Sequence, residues 1–125
     1  MRAPTPIVGV CAQVLLDMMQ INDFESEIIK AIGKHYPAIL SVMDILVVAK
    51  RQNTGAGSYT DFVPLESPID SHTQVLDLHG TIDVANNIQL SAHIHMQSGI
   101  PQFLEICCLG NDSWDGSYDY YEIHN

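Results

Sequence analysis

Ile88-Gln89-Leu90-Ser91-Ala92-His93-Ile94-His95-Met96 alternates apolar and polar side chains along its whole length. A period of two is the mark of a strand with one buried face, so Ile88, Leu90, Ala92, Ile94 and Met96 belong to a core and Ser91, His93 and His95 to the other side. Asn86-Asn87 before it and Gln97-Ser98-Gly99 after it are turn signals, and the spacing predicts a further strand over Phe103 to Leu109. Upstream the same alternation runs through Val75 to Val84 and through Ser58 to Val63. Asp44 to Arg51 is rich in β-branched residues and reads as the first strand. Links this short argue for antiparallel neighbours.

Before residue 40 the period changes. Phe24, Ile28, Ile29, Ile32 and Tyr36 fall on one helical face, Asn22 and Glu25 have the spacing of a capping box, and Pro37 stops the helix. Residues 7–20 also read as helix but are apolar on most sides, with Ile7, Val8, Val10, Val14, Leu15, Leu16, Met18 and Met19. Such a helix belongs at the centre of a core or at an oligomer contact, here a homodimer through it. The expected fold is α+β: two N-terminal helices, about residues 7–36, packed on a five- or six-stranded, mainly antiparallel sheet over about residues 44–123, in a single domain spanning residues 1–125.

Charge is distributed unevenly. The chain has 125 residues and a formal net charge of −10, yet Arg2, Lys30, Lys34, Lys50 and Arg51 are its only Lys and Arg. Ten acids and no Lys or Arg follow Arg51. A field of that sign repels nucleic acid and anionic membranes and attracts a basic protein. It also serves plain solubility. Cys11, Cys107 and Cys108 are odd in number, and adjacent cysteines do not readily pair; no zinc spacing is present. A reducing, cytoplasmic setting is the expectation. Asp17 interrupts the apolar N-terminal run, which is too short for a membrane span and lacks a cleavage signal.

Several constellations invite chemistry. His93 and His95 share a strand face; His79 on a neighbouring strand and Glu105 on the next complete a conceivable metal set. Double-stranded β-helix metal enzymes need an acid four or five residues beyond such a pair, and Gly99 and Ile100 stand there instead. Histidine fills a polar strand face without a metal, so no metal and no cofactor is assigned. Thr54-Gly55-Ala56-Gly57-Ser58 has no Lys and no following helix, which excludes a phosphate loop and leaves a turn or bulge shaped by Gly55 and Gly57. Cys107 and Cys108 lack a His and acid at a telling spacing, and inert thiols are the better reading. Asp112, Asp115, Asp119 and Glu122 lie in a turn-rich tail where nothing raises a carboxyl pKa, so no catalytic residue is assigned. The same tail sets Trp114, Tyr118, Tyr120 and Tyr121 among the acids, as an interface for a basic protein would.

The stretch Arg51-Gln52-Asn53-Thr54-Gly55-Ala56-Gly57-Ser58-Tyr59-Thr60-Asp61-Phe62-Val63-Pro64 resembles a motif of small bacterial proteins: Arg, two residues, Thr-Gly-x-Gly, two aromatics, Thr-x-Phe. Gly99 with Leu104-Glu105 and Trp114 resembles their second motif. The likeness covers roughly residues 45–116. It departs at Ser58, where an aromatic is usual, at Ile106-Cys107-Cys108 in place of an aromatic strand, and at Asp115, where Pro is common. Proteins of this look are similar in size and layout to immunity proteins of bacterial toxin systems, including contact-dependent growth inhibition. The resemblance implies a non-enzymatic protein that neutralises a basic toxin domain by binding it. Tyr59, Asp61, Glu105, Asp112, Trp114, Asp115, Asp119 and Tyr120 are the expected contact residues. The alternatives are a metal-dependent enzyme on the His93/His95 strand and an adaptor that binds a basic effector without inhibiting it.

Overall fold

A computed structural model describes residues 20–125 of the chain; the helix expected over residues 7–20, and the homodimer contact expected through it, lie outside the described residues but for Gln20. Helix α1 spans Asp23–Gly33 and starts as its sequence predicts. The Asn22 side chain accepts from the Glu25 N–H at 2.8 Å, and the Glu25 carboxylate accepts from the Asn22 N–H at 2.8 Å, which satisfies two of the N–H groups a helix start leaves open. Phe24, Ile28, Ile29 and Ile32 form its buried stripe.

The next segment differs from expectation. Pro37–Ile45 is a 3-10 helix rather than the beginning of a strand. Pro37 supplies the fixed φ of a helical first turn, and Ile39 and Val42 are buried three residues apart, the repeat of this tighter helix. Apolar residues without a clear period had suggested β structure; the strand starts only at Val48.

Seven strands follow: β1 Val48–Asn53, β2 Gly57–Phe62, β3 Gln74–Asp77, β4 Thr81–Val84, β5 Ile88–Gln97, β6 Ile100–Cys108 and β7 Tyr121–His124. All pair antiparallel, six of them in the order β1-β2-β6-β5-β4-β7 and β3 beside β5. The anticipated five or six strands become seven for two reasons. The stretch read as one strand from Val75 to Val84 is broken at His79-Gly80, so that β3 pairs with His93–Met96 of β5 and β4 with Ile88–Leu90 of the same edge. The tail returns as β7 beside β4, so close at Gly80 that a Cβ there would overlap the His124 carbonyl.

The hairpin of β5 and β6 is the centre of the sheet. Its two-residue turn, Ser98-Gly99, has φ of +49° and +78°, the twist that suits a tight hairpin. Leu90, Ala92, Ile94, Leu104 and Ile106 face α1 and are all but fully buried. Phe62, Leu76, Ile82 and Val84 extend the same layer, and Trp114 closes it against Phe24. Glu25 lies in this layer too. Arg51 donates to both of its oxygens at 2.8 and 2.9 Å, and Thr60 donates to one at 2.7 Å. Burial alone would push the Glu25 carboxyl up, but these bonds and the guanidinium charge outweigh it and hold it below the usual carboxylate range. Among the described residues no helix is long and apolar enough to cross a membrane.

Candidate functional site

The other face of the sheet carries no layer among the described residues, and every side chain on it larger than glycine is half-buried or exposed. Strand register sets its pattern. One row runs Lys50, Asp61, Phe103, His95 and Val75 across β1, β2, β6, β5 and β3; the adjacent row runs Gln52, Tyr59, Glu105, His93 and Asp77. Five strands at the usual spacing make this platform about 19 Å wide.

The rings of Tyr59, Phe103 and His95 meet at its middle. His95 stacks on Phe103 at 4.3 Å between centroids, and Tyr59 meets Phe103 edge-on at 5.6 Å. Glu105 ties them together: one oxygen accepts from the Tyr59 hydroxyl at 3.2 Å, and the other lies 2.8 Å from His95 Nε2. Burial pushes the Glu105 carboxyl up, but hydrogen bonds from His95, Cys107 and Tyr59 win and hold it below its ordinary value. The Glu105 charge in turn holds the Tyr59 phenol above its own. Asp61, beside Phe103, takes no hydrogen bond or ion pair from any described residue.

A second chain of contacts lies alongside. Ser91 Oγ is 3.2 Å from His93 Nε2, and His93 Nδ1 is 2.7 Å from Asp77 Oδ1. The order is that of a serine nucleophile, its base and the base's orienting acid. Acyl transfer also needs N–H donors aimed at a developing oxyanion. The Gln89 carbonyl accepts from the N–H of Leu109, just past β6, and by the alternation of the ladder the Ser91 N–H points the same way, into its pairing with Cys107. The nearby Cys107 thiol is pushed up to about 11, chiefly by burial, and Cys108 is raised by burial as well, so neither is a ready thiolate.

The conceivable metal set is not assembled. His93 and His95 do share a face, but their ring nitrogens are directed at Asp77 and Glu105, while His79 stacks on His35 at 3.8 Å beside the helical layer. Among the described residues the grouping whose donors come within 4.8 Å of one another is Asp83, Glu122 and His124, at the β4–β7 end. There His124 Nε2 lies 3.0 Å from Asp83 and 3.4 Å from Glu122, and exposed acidic groups of this kind commonly gather without a metal.

The eight expected contact residues fall into two groups. Tyr59, Asp61 and Glu105 come together on the open face. Trp114 is buried, with its indole N–H donating to the Ser117 carbonyl at 2.9 Å. Asp115 lines a cleft of about 260 Å³ on the helical side with Phe24, Arg51 and Tyr118, and Asp112, Asp119 and Tyr120 are exposed between β6 and β7. The motif glycines shape the turn between β1 and β2. Gly55 adopts φ +84°, whereas Gly57 keeps ordinary φ and is needed because a Cβ would overlap the Ile106 carbonyl. Sequence reading passed over Phe103 and Asp77 as contact residues; their alternation was visible, but their neighbours depend on register. No protein-family model, curated protein or solved structure matches the chain.

Proposed function

We propose that the chain is an immunity-type protein that binds and neutralises a basic bacterial toxin domain in the cytoplasm. One observation carries this reading: a sheet face that no described element covers, with three rings at its middle set among Asp61, Asp77 and Glu105, in a chain with no Lys or Arg after Arg51. Aromatic rings supply anchoring area at low entropic cost, and a surrounding negative field draws a cationic partner in and orients it. Inhibition of this kind requires only that the toxin's own surface be covered. An adaptor for a basic effector would use the same surface and leave the effector active. A metal-dependent enzyme on the His93/His95 strand has less behind it, because His79 is held against His35 and, among the described residues, the donors that gather are those of Asp83, Glu122 and His124.

The test is growth rescue. The tagged full chain is used to capture partners from its native host, and each basic protein captured is expressed with and without the chain. Restored growth with a stoichiometric complex is the expected result. A captured partner that stays toxic when bound argues for the adaptor, and a chain that captures no basic protein from cells known to express its genetic neighbours counts against the proposal.

A further inference from the structure

The proposed binding reading leaves open which cation the open face selects, and the geometry of its middle bears on that choice. Rings reach up from three adjacent strands: Tyr59 from β2, Phe103 from β6 and His95 from β5. Their mutual contacts hold them as one fixed group of rings, Phe103 and His95 each turning one face to the other, half-buried by neighbours yet covered by no described element. Carboxylates stand at its borders. Asp61 adjoins Phe103 and gives neither oxygen to any described residue. Glu105 is pinned by Tyr59 and His95, so it cannot swing away. Asp77, three strand intervals across and one row along, or about 16 Å from Asp61, uses one oxygen on His93.

A lysine ammonium is a compact, strongly hydrated point charge and gains little from a flat aromatic surface. A guanidinium is planar and weakly hydrated. It stacks on rings and offers paired N–H groups that match one carboxylate side-on. Resting on the binding function proposed above, we infer that this platform is an arginine-recognition surface, on which the basic partner lays arginine side chains against the Tyr59, Phe103 and His95 rings while Asp61 and Asp77 take their N–H groups. Lys50, the one Lys or Arg in these two rows, sits at the far edge beside Asp61 and bounds the surface on that side. An acidic partner is disfavoured because Asp61, Glu105 and Asp77 would each face it.

The inference is tested by titrating the 15N-labelled full chain with an arginine-rich dodecapeptide and with its lysine counterpart, following backbone amides by NMR at low and moderate salt. Saturable shifts centred on residues 59–61, 93–95 and 103–105 are expected, with the lysine peptide about tenfold weaker, as one bidentate, stacked contact would give. Asp61→Asn and Asp77→Asn, both remote from the core, are each expected to weaken the arginine peptide severalfold while the spectrum stays folded. Equal affinity for the two peptides overturns arginine selection and leaves a cation-binding protein standing. Shifts confined to residues 111–120 overturn the choice of face. Absence of saturable binding to either peptide overturns this inference and counts against the binding function itself.

Discussion

The chain places charged and hydrogen-bonded carboxylates on both sides of one sheet, and the two sides are built differently. On the core side Glu25 is buried, receives Arg51 through two hydrogen bonds, and is capped by Thr60 and the Asn22 backbone, so little of it remains to meet a ligand. On the open side Glu105, Asp77 and Asp61 are half-buried or exposed; among the described residues the first two are partnered by histidine, tyrosine and the Cys107 thiol, with no Lys or Arg, and Asp61 is left with capacity to spare. The difference teaches that the same side-chain chemistry divides by solvation. A closed cluster fixes how α1 meets β1 and β2, whereas an open one keeps its charge available to something arriving from solution.

Several substitutions would break or sharpen this contrast. The largest effect is expected from Arg51→Met, which leaves Glu25 charged and buried without its partner. A loss of about 3 kcal/mol in urea unfolding is the expectation, since leaving a buried carboxylate without its cation costs far more than an exposed pair is worth. A loss under about 1 kcal/mol would mean that the core-side cluster behaves like a surface one. Gly57→Ala follows at about 2 kcal/mol, because the new methyl meets the Ile106 carbonyl rather than a pliable side chain. Acidification comes next. Glu25 and Glu105 both have depressed folded-state values, so their contribution is full above the ordinary carboxylate range near 4.5 and disappears as pH falls through the folded values below it. Melts between pH 7 and pH 3 should therefore lose stability chiefly below that range, and Glu25→Gln should flatten the profile more than Glu105→Gln. The smallest effect is expected on the open face: His95→Gln should change stability by less than about 1 kcal/mol while weakening an arginine-rich ligand. A large stability loss there would make the His95–Glu105 pair a structural element.

Much of this contrast is legible in the amino-acid sequence. The alternation of residues 88–96 gave β5 and its two faces, the spacing of Asn22 and Glu25 gave the start of α1, and Ser98-Gly99 gave a turn. The fold could not be read further where the signal depends on distant pairing. Nothing local indicates that β6 inserts between β2 and β5, or that β3 and β4 share one edge of β5. Apolar residues 37–45 carry a three-residue repeat too short to distinguish from a strand entry. The site divides in the same way. That His93 and His95 lie side by side was readable from a period of two. That one meets Asp77 and the other Glu105, and not each other, required register. Trp114 shows the opposite limit: an aromatic among acids reads as an anchor until packing turns it inward against Phe24.

The Ser98-Gly99 turn has a kinetic side. It joins two long strands across two residues, so the β5–β6 hairpin is the non-helical unit with the shortest loop to close and is expected to form early in folding. Phe103, Glu105, His93 and His95 all lie on that hairpin, within a few residues of its tip. Selection on the outer face would therefore also act on the folding nucleus: substitutions there should slow refolding more than they speed unfolding, so that surface residues with little equilibrium effect would still govern how quickly a newly made chain becomes able to bind.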